Sequence, residues 1–288
     1  MTDQHHPLAD QTLVVSGGSR GIGLAIALGA AKLGANAVLL AKTSEPHPKL
    51  PGTVHTAVAE VEAAGGKGIA VVGDVRNEED VQRAVDAAVE RFGGIDIVVN
   101  NASAIATDPT ERLSAKKFDL MMDINIRGTF LLTKAALPHL RQSKNAHVVT
   151  LAPPLNMNPH WLGAHPSYTL SKYGMTLLSL GWAAEYASEE DGARIGFSCL
   201  WPQTYIATSA VTNLADGDAL VSASRSPAIM ADAAAAILTR PAAEVNGKCF
   251  IDSDVLLDCG VTDLSPYGGG DDPMWDIFVD KPERVNTP

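Results

Sequence analysis

The 288-residue chain is 46% hydrophobic and 19% charged, a globular composition with enough apolar side chains for a large core. Its formal net charge of −11 argues against nucleic acid or an anionic membrane surface as the main partner, since both call for basic patches. The three cysteines form no CxxC pair, the opening MTDQHHPLADQ has no apolar leader, and no apolar run approaches the ~18 residues that span a bilayer, so a cytoplasmic protein is expected.

In chain order, short apolar runs at 12–16, 37–41, 69–72, 95–100, 147–151, 195–200 and 249–251 alternate with helical patterns, clearest at 21–33, 54–64, 78–92 and 168–187. Most of the strand candidates are continuously apolar, the pattern of strands buried on both faces. The expected fold is α/β: a single Rossmann-type doubly wound parallel sheet of about seven strands with helices on both faces. It occupies residues 1–264, and the Gly-, Asp- and Pro-rich 265–288 is a tail that either packs over the domain or frays.

The first strand runs directly into Gly17, Gly21 and Gly23 at the opening of the first helix, with Ser19, Arg20 and Ile22 in the same turn. Glycine lets a backbone approach a pyrophosphate, and the helix N-terminus offers free N–H groups and a positive dipole end. A tight turn without a ligand is the alternative. NAD-preferring folds place an acid about 20 residues later. Here the second strand ends in Lys42, and Lys42 with Arg20, Thr43 and Ser44 suits a 2′-phosphate, so NADP (NADP+/NADPH) is expected; otherwise Lys42 only solvates the strand end. The proline-stiffened insert 44–56 adds His47, Lys49 and His55 nearby. Asp74 and Val75 after the third strand suit an adenine, or a helix lead-in. Asn100 and Asn101 end the fourth, and the small Ala102 leaves room for a ribose; a cap or a turn is the other reading.

Further on, Asn125 stands in DINIRGTF, where it begins or ends a helical turn. Tyr168 and Lys172 lie four apart and so share a helix face. Trp201, Pro202, Gln203 and Thr204 follow the sixth strand. Together with the glycine turn and Asn100-Asn101-Ala102, this ordered set resembles the short-chain dehydrogenase/reductase family over roughly residues 10–255. The resemblance implies that Tyr168 is the acid/base, that Lys172 holds the nicotinamide ribose and lowers the tyrosine pKa, and that Asn125 anchors a water in a proton relay. It places Pro202 and Thr204 by the carboxamide. A free phenol at pKa ~10 is no base at pH 7, and a shift of about 3 units needs roughly 4 kcal/mol.

One departure stands out. Most relatives carry a serine at the end of the fifth strand, and the matching residue here is Ala152. Thr150 points to the same strand face but about 6.5 Å deeper. Asn156 is the first candidate for a substitute donor, with Trp161 on the substrate wall, unless these residues only shape their loop. Residues 205–227, apolar and small with few charges, suit a lid over a hydrophobic substrate or a second subunit. The resemblance also implies a homodimer or homotetramer built on the helices after the fourth and fifth strands. The leading function is NADP-dependent hydride transfer between nicotinamide and a carbonyl or secondary alcohol of an apolar, lipid-, acyl- or steroid-like substrate. The alternative is an NADP(H)-binding regulatory or partner-binding protein with little activity, because of Ala152.

Overall fold

Continuously apolar strands need cover on both faces, and the chain supplies it by alternation. The computed structural model describes residues 6–47, 50–187, 195–212 and 217–281. Its elements are β1 (Thr12–Ser16), α1 (Gly21–Lys32), β2 (Asn36–Ala41), α2 (Val54–Ala63), β3 (Gly68–Val72), α3 (Glu78–Phe92) and β4 (Ile97–Asn100). Then come α4 (Ala115–Met121), a π-helical turn (Met122–Arg127), α5 (Gly128–Leu140), β5 (Ala146–Thr150), α6 (Pro159–Ala164), α7 (Pro166–Glu185) and β6 (Ile195–Trp201). The last third holds α8 (Ser209–Thr212), α9 (Gly217–Ser222), α10 (Ala228–Leu238), α11 (Ala242–Val245), β7 (Lys248–Ile251) and α12 (Asp252–Asp258).

The seven strands form one sheet in the order β3-β2-β1-β4-β5-β6-β7, and every pairing is parallel. This is the doubly wound Rossmann-type fold. Alternate residues of β1 serve opposite faces: Leu13 and Val15 pack with Ile26, Ala30 and Ile237, whereas Val14 packs with Val85, Leu132 and Trp182. The strand order reverses between β1 and β4, so a crevice opens beyond their carboxyl ends.

Local chemistry fixes the helix ends. Thr53 and Thr56 make a reciprocal capping box at α2, and the Asn77 side chain accepts from Glu79 and Asp80 N–H at α3. Among the described helices, none is long and apolar enough to cross a membrane. The segment after β7 does not fray within the described residues: Tyr205 N–H donates to the Met274 carbonyl (2.9 Å), and Phe278 is buried. Residues 282–288 of the expected tail, Lys49 of the insert and residues 213–216 of the expected lid lie outside the described residues.

His147 in β5 is fully buried and its Nε2 lies 3.1 Å from the Asn145 amide nitrogen. Burial pushes its pKa down from 6.5 to about 4. The unfolded chain therefore takes up this proton first: the contribution to stability is whole above pH 6.5 and is lost as pH falls towards about 4. The total is about 3 kcal/mol. Urea unfolding of wild type and His147→Leu between pH 7 and 4.5 is expected to show a steeper acid loss in wild type by about 2 kcal/mol. Parallel curves would show that this ring does not set the slope.

Candidate active site

The crevice holds a cavity of about 580 Å³ that runs from Gly17 and Gly21 of the glycine turn to Tyr168 and Lys172 of α7. A smaller one, about 180 Å³, is lined by Ser19, Lys42, Asp74 and Val75 and shares Gly17, Ala102 and Ser103 with the first. Glycine turn and Tyr–Lys pair thus stand on one continuous cleft.

The turn excludes side chains by backbone conformation at Gly17 and Gly21 and by crowding at Gly17 and Gly23. Gly17 and Gly21 adopt φ of +71° and +59°, which disfavour L side chains. A Cβ on Gly23 would lie 2.4 Å from Asn101 Nδ2 and 2.8 Å from the Gly17 carbonyl. The Asn101 amide explains the closeness, because it donates to the carbonyls of Ser16 (3.0 Å) and Gly17 (3.1 Å). Asn101 borders the cavity, yet both amide hydrogens are committed to the turn. Asn100 points inward and donates to Thr133 Oγ1 at 2.9 Å. The N-terminus of α1 has no side-chain cap and no acid in its first turn, so its orphan N–H groups face the cleft unopposed.

The two cations expected around one ribose line different cavities. Arg20 Nη2 donates to the Gly52 carbonyl of the insert at 2.8 Å, which draws the guanidinium to the larger cavity, while Lys42 lines the smaller. Lys42 is mostly exposed and sits 3.3 Å from Asp74 Oδ2. The Arg76 guanidinium, 2.6 Å from the same oxygen, holds the Asp74 carboxyl well below the usual carboxylate range. Val75 is buried beneath and meets Gly128. Ile22 lines the large cavity, as does Pro202; the Thr204 hydroxyl beside it is buried and has no hydrogen-bond partner among the described residues.

Helix α7 opens with Pro166 and carries Tyr168 and Lys172 one turn apart, both buried. Lys172 Nζ donates to the Leu151 carbonyl (2.9 Å) and lies 5.3 Å from the Trp201 ring centroid. Desolvation lowers Lys172 to about 7. Tyr168 departs from expectation. Burial, followed by the negative charge of Asp276 and the neighbouring Tyr205, raises the phenol well above its ordinary range; only the Ser103 hydroxyl opposes this. Desolvation outweighs any help from the ammonium, so in this state the phenol keeps its proton.

Asn125 is no cap. It sits fully buried in the π-helical turn, where its Nδ2 donates to the Ala104 carbonyl (3.0 Å) and Ser171 Oγ (2.9 Å) and its Oδ1 accepts from Ala104 N–H (2.8 Å). It ties the loop after β4 to α7. Such π-turns concentrate at functional positions.

The expectations for the substrate end need correction. The Ala152 methyl is fully buried against Met175 and Cys199 and does not line the cleft. Thr150 is engaged by Ser179 Oγ at 2.9 Å. Asn156 donates to the Phe278 carbonyl (3.2 Å) and to Asp280 Oδ2 (2.8 Å), so its amide is held outside the cavity and is not the substitute donor. Trp161 likewise donates to Asp280 Oδ1 at 2.7 Å and stands behind the wall. Both were read without the C-terminal segment that engages them. The wall itself comes from Tyr205, Ile206, Thr208 and Val211, as the apolar 205–227 stretch suggested, joined by Ser103, Asp276 and Ile277. The last three escaped sequence reasoning. The aromatic-acid run MWDIFVD inside a Gly/Pro-rich tail was the available signal.

A model of the short chain dehydrogenase family matches residues 11–218. The chain is 49% identical over 281 residues to hydroxysteroid dehydrogenase-like protein 2 of Xenopus tropicalis, across 96% of this chain and 66% of that protein. It is 45% identical over 282 residues to the protein of that name from Homo sapiens, again across 66% of its length. The chain therefore spans about two thirds of these curated relatives. Among solved structures, a putative dehydrogenase from Xanthomonas campestris is 48% identical with a TM-score of 0.89, over 95% of this chain and 99% of that one. Carveol dehydrogenase from Mycobacterium avium in complex with NAD is 20% identical with a TM-score of 0.72, over 85% and 97% of the two chains, and shares the fold.

The Phe278 ring centroid lies 5.3 Å from that of Tyr173, 5.9 Å from Trp201 and 6.3 Å from Tyr168. Phe278→Ala is expected to cost about 3 kcal/mol in urea unfolding. Acrylamide should then quench the tryptophan fluorescence more strongly, as Trp201 and Trp161 lose their cover. Unchanged stability and quenching would mean that this ring does not hold the segment down.

Proposed function

Because the chain belongs to the short-chain dehydrogenase family, we propose that it is an NADP-dependent oxidoreductase acting between a carbonyl and a secondary alcohol on an apolar, lipid-, acyl- or steroid-like substrate. The observation that carries this reading is the pairing of buried Tyr168 and Lys172 on the same cleft as the uncapped start of α1. The protein also fits the dinucleotide: glycines with no space for a Cβ, a helix end without an acid, and the unpartnered Thr204 hydroxyl. Gly17, Ser19, Arg20, Gly21, Ile22 and Gly23 would hold its phosphates, Lys42 a 2′-phosphate, and Asp74 and Val75 the adenine. Asn101 and Ala102 border the adenosine ribose, Lys172 the other ribose, and Pro202 with Thr204 the carboxamide. When bound, the nicotinamide supplies or takes up the hydride.

The chain's own residues manage the proton. Tyr168 keeps its proton because its site is dry and Asp276 is near, and it gives that proton to the substrate oxygen as a carbonyl is reduced. Alcohol oxidation needs the deprotonated phenol, the form that burial disfavours. Lys172, which burial brings down to about 7, has its ammonium held by the Leu151 carbonyl and the Trp201 ring. Asn125 fixes Ser171 and the loop after β4, and so the distance between Tyr168 and the cofactor side of the cleft. Ile206, Val211 and Ile277 supply an apolar wall. The low-activity reading rested on Ala152, whose methyl packs against Met175 and Cys199, and no observation supports that reading. Exposed Phe130 on α5 and Leu170 and Leu177 on α7 support a homodimer or homotetramer, and the free cysteines support a cytoplasmic setting.

NADPH oxidation over a panel of apolar ketones and aldehydes tests the reaction. Tyr168→Phe is expected to lose about 10²–10⁴-fold in kcat on every substrate turned over. Equal rates for wild type and variant on all of them would overturn the assignment. The cofactor preference has its own check. Wild type should favour NADPH over NADH in kcat/KM, and Lys42→Ala should lower the NADPH value about tenfold while sparing NADH, as expected for one charge-assisted phosphate contact. A wild-type preference for NADH would reject NADP.

A further inference from the structure

Two of the three cysteines are partners across the sheet, and the proposed reaction uses neither. Cys199 of β6 stands in register with Cys249 of β7, the last strand of the sheet, and the two strands are parallel. Register partners on neighbouring strands lie about 4.8 Å apart and point to the same face. That spacing falls inside the range of roughly 4.4–6.8 Å between Cα atoms that a disulfide spans. The face is the one that α7 covers: Cys199 packs with Met175, and the Ser179 and Thr176 hydroxyls stand beside its sulfur. Cys199 is fully buried, whereas Cys249 is only partly covered at the sheet edge. The two thiols share a hydrogen bond, which together with burial raises the pKa of Cys199 and which lowers that of Cys249.

The pair divides the work of oxidation. Cys249 is the more accessible sulfur and the one whose thiolate is favoured, so it meets an oxidant from solution first. Cys199 is shielded from solvent but adjoins its partner. A metal is not what the two hold, because among the described residues no group of three His, Cys, Asp or Glu side chains could ligate one. We propose that Cys199 and Cys249 form a reversible dithiol–disulfide site that hydroperoxides oxidise. The Cys249 thiolate attacks the terminal oxygen of the hydroperoxide and the O–O bond breaks. The proton that the thiol released leaves on the alcohol or water formed, and Cys249 becomes a sulfenic acid. The Cys199 sulfur then attacks the Cys249 sulfur, the S–O bond breaks, and hydroxide departs as water with the Cys199 proton. Together the two thiols give up two electrons, which the O–O bond takes. The site lies directly behind the cleft. Met175 Sδ, in the same cluster, is 3.8 Å from Lys172 Nζ, and Trp201 follows Cys199 on the same strand face. Neither thiol lines the cavity, so the inference stands apart from the oxidoreductase reading.

Thiol mapping tests it. The reduced full chain is treated with a small excess of hydrogen peroxide, alkylated in urea and examined by mass spectrometry, for wild type, Cys249→Ser, Cys199→Ser and Cys259→Ser. Wild type is expected to lose two of its three alkylatable thiols and to become lighter by two hydrogens. Its digest should contain a peptide pair linked through Cys199 and Cys249 that dithiothreitol separates. Cys259→Ser, which removes only the exposed cysteine, should behave as wild type and at the same rate. Cys249→Ser should form no disulfide and keep Cys199 as a free thiol. Cys199→Ser should stop at a sulfenic acid on Cys249, which dimedone traps. Should a serine variant not fold, the peptide map of wild type still decides. Wild type that keeps all its thiols, that links Cys259, or that forms bonds only between chains would overturn the proposal. Thiol loss in Cys249→Ser at the wild-type rate would overturn it as well.

Discussion

The junction of β1 and β4 is the constraint on which the cleft depends. Ser16, the last residue of β1, accepts the backbone N–H of both Asn101 and Ala102 at 3.1 Å, and the Asn101 side chain returns two hydrogen bonds to Ser16 and Gly17. Four short bonds thus lock the glycine turn to the end of the neighbouring strand at the point where the strand order reverses. Buried backbone groups at a strand end must find partners, and here they find them across the crevice, in one another. The geometry at Gly23 follows: a packed amide at 2.4 Å from its would-be Cβ leaves only glycine. From this lock the uncapped end of α1 points outward on one side. The loop that carries Ser103 and Ala104 runs to the Asn125 side chain on the other.

Across the cleft, desolvation decides the chemistry. Lys172 is brought down to about 7 by burial alone, despite the pull of Asp276. Tyr168 is pushed up by the same cause. A shift of this size on the lysine corresponds to several kcal/mol, more than one carbonyl and one ring face return. The fold tolerates the cost because α7 is anchored elsewhere: Ser171 through Asn125, Thr176 by the Pro153 carbonyl (2.7 Å) and Ser179 by Thr150. Hydrogen bonds on every side of the pair keep two reluctant groups in a dry place.

The sheet was legible in the sequence because burial on both faces writes itself as unbroken runs such as TLVVS and IVVN. The glycine turn and the spacing of Tyr168 and Lys172 were legible because close approach and helical period each restrict residue type locally. Helix α10 was not singled out. AIMADAAAAIL is apolar nearly all round, and it packs so tightly on α1 that a Cβ at Gly29 would sit 3.3 Å from Ala231. The π-helical turn at Asn125 left no trace either, since only the buried partners Ala104 and Ser171, 21 and 46 residues away, make that backbone worth its irregularity. Asn156 and Trp161 were placed by loop proximity alone. Their hydrogen-bond partner Asp280 lies 124 and 119 residues further on, in a stretch whose composition reads as a loose end.

That stretch changes what the cleft is. A Gly- and Pro-rich sequence has little propensity of its own, so its order comes from what it docks on. Here the docking surface is aromatic: Tyr168, Tyr173 and Trp201 receive one ring, and Phe278 bears a left-handed backbone to deliver it. The hydrogen bonds that flank it run to the β6 loop on one side and, through Asp280, to the loop before α7 on the other. This end of the cleft is therefore assembled from distant segments, none of which encloses it alone. Tyr168 is itself part of the platform on which the segment rests. Docking and the dryness of the phenol are consequently two descriptions of one packing event. Loosening the segment rehydrates Tyr168 and lowers its pKa towards the ordinary value, whereas tightening it keeps the phenol protonated.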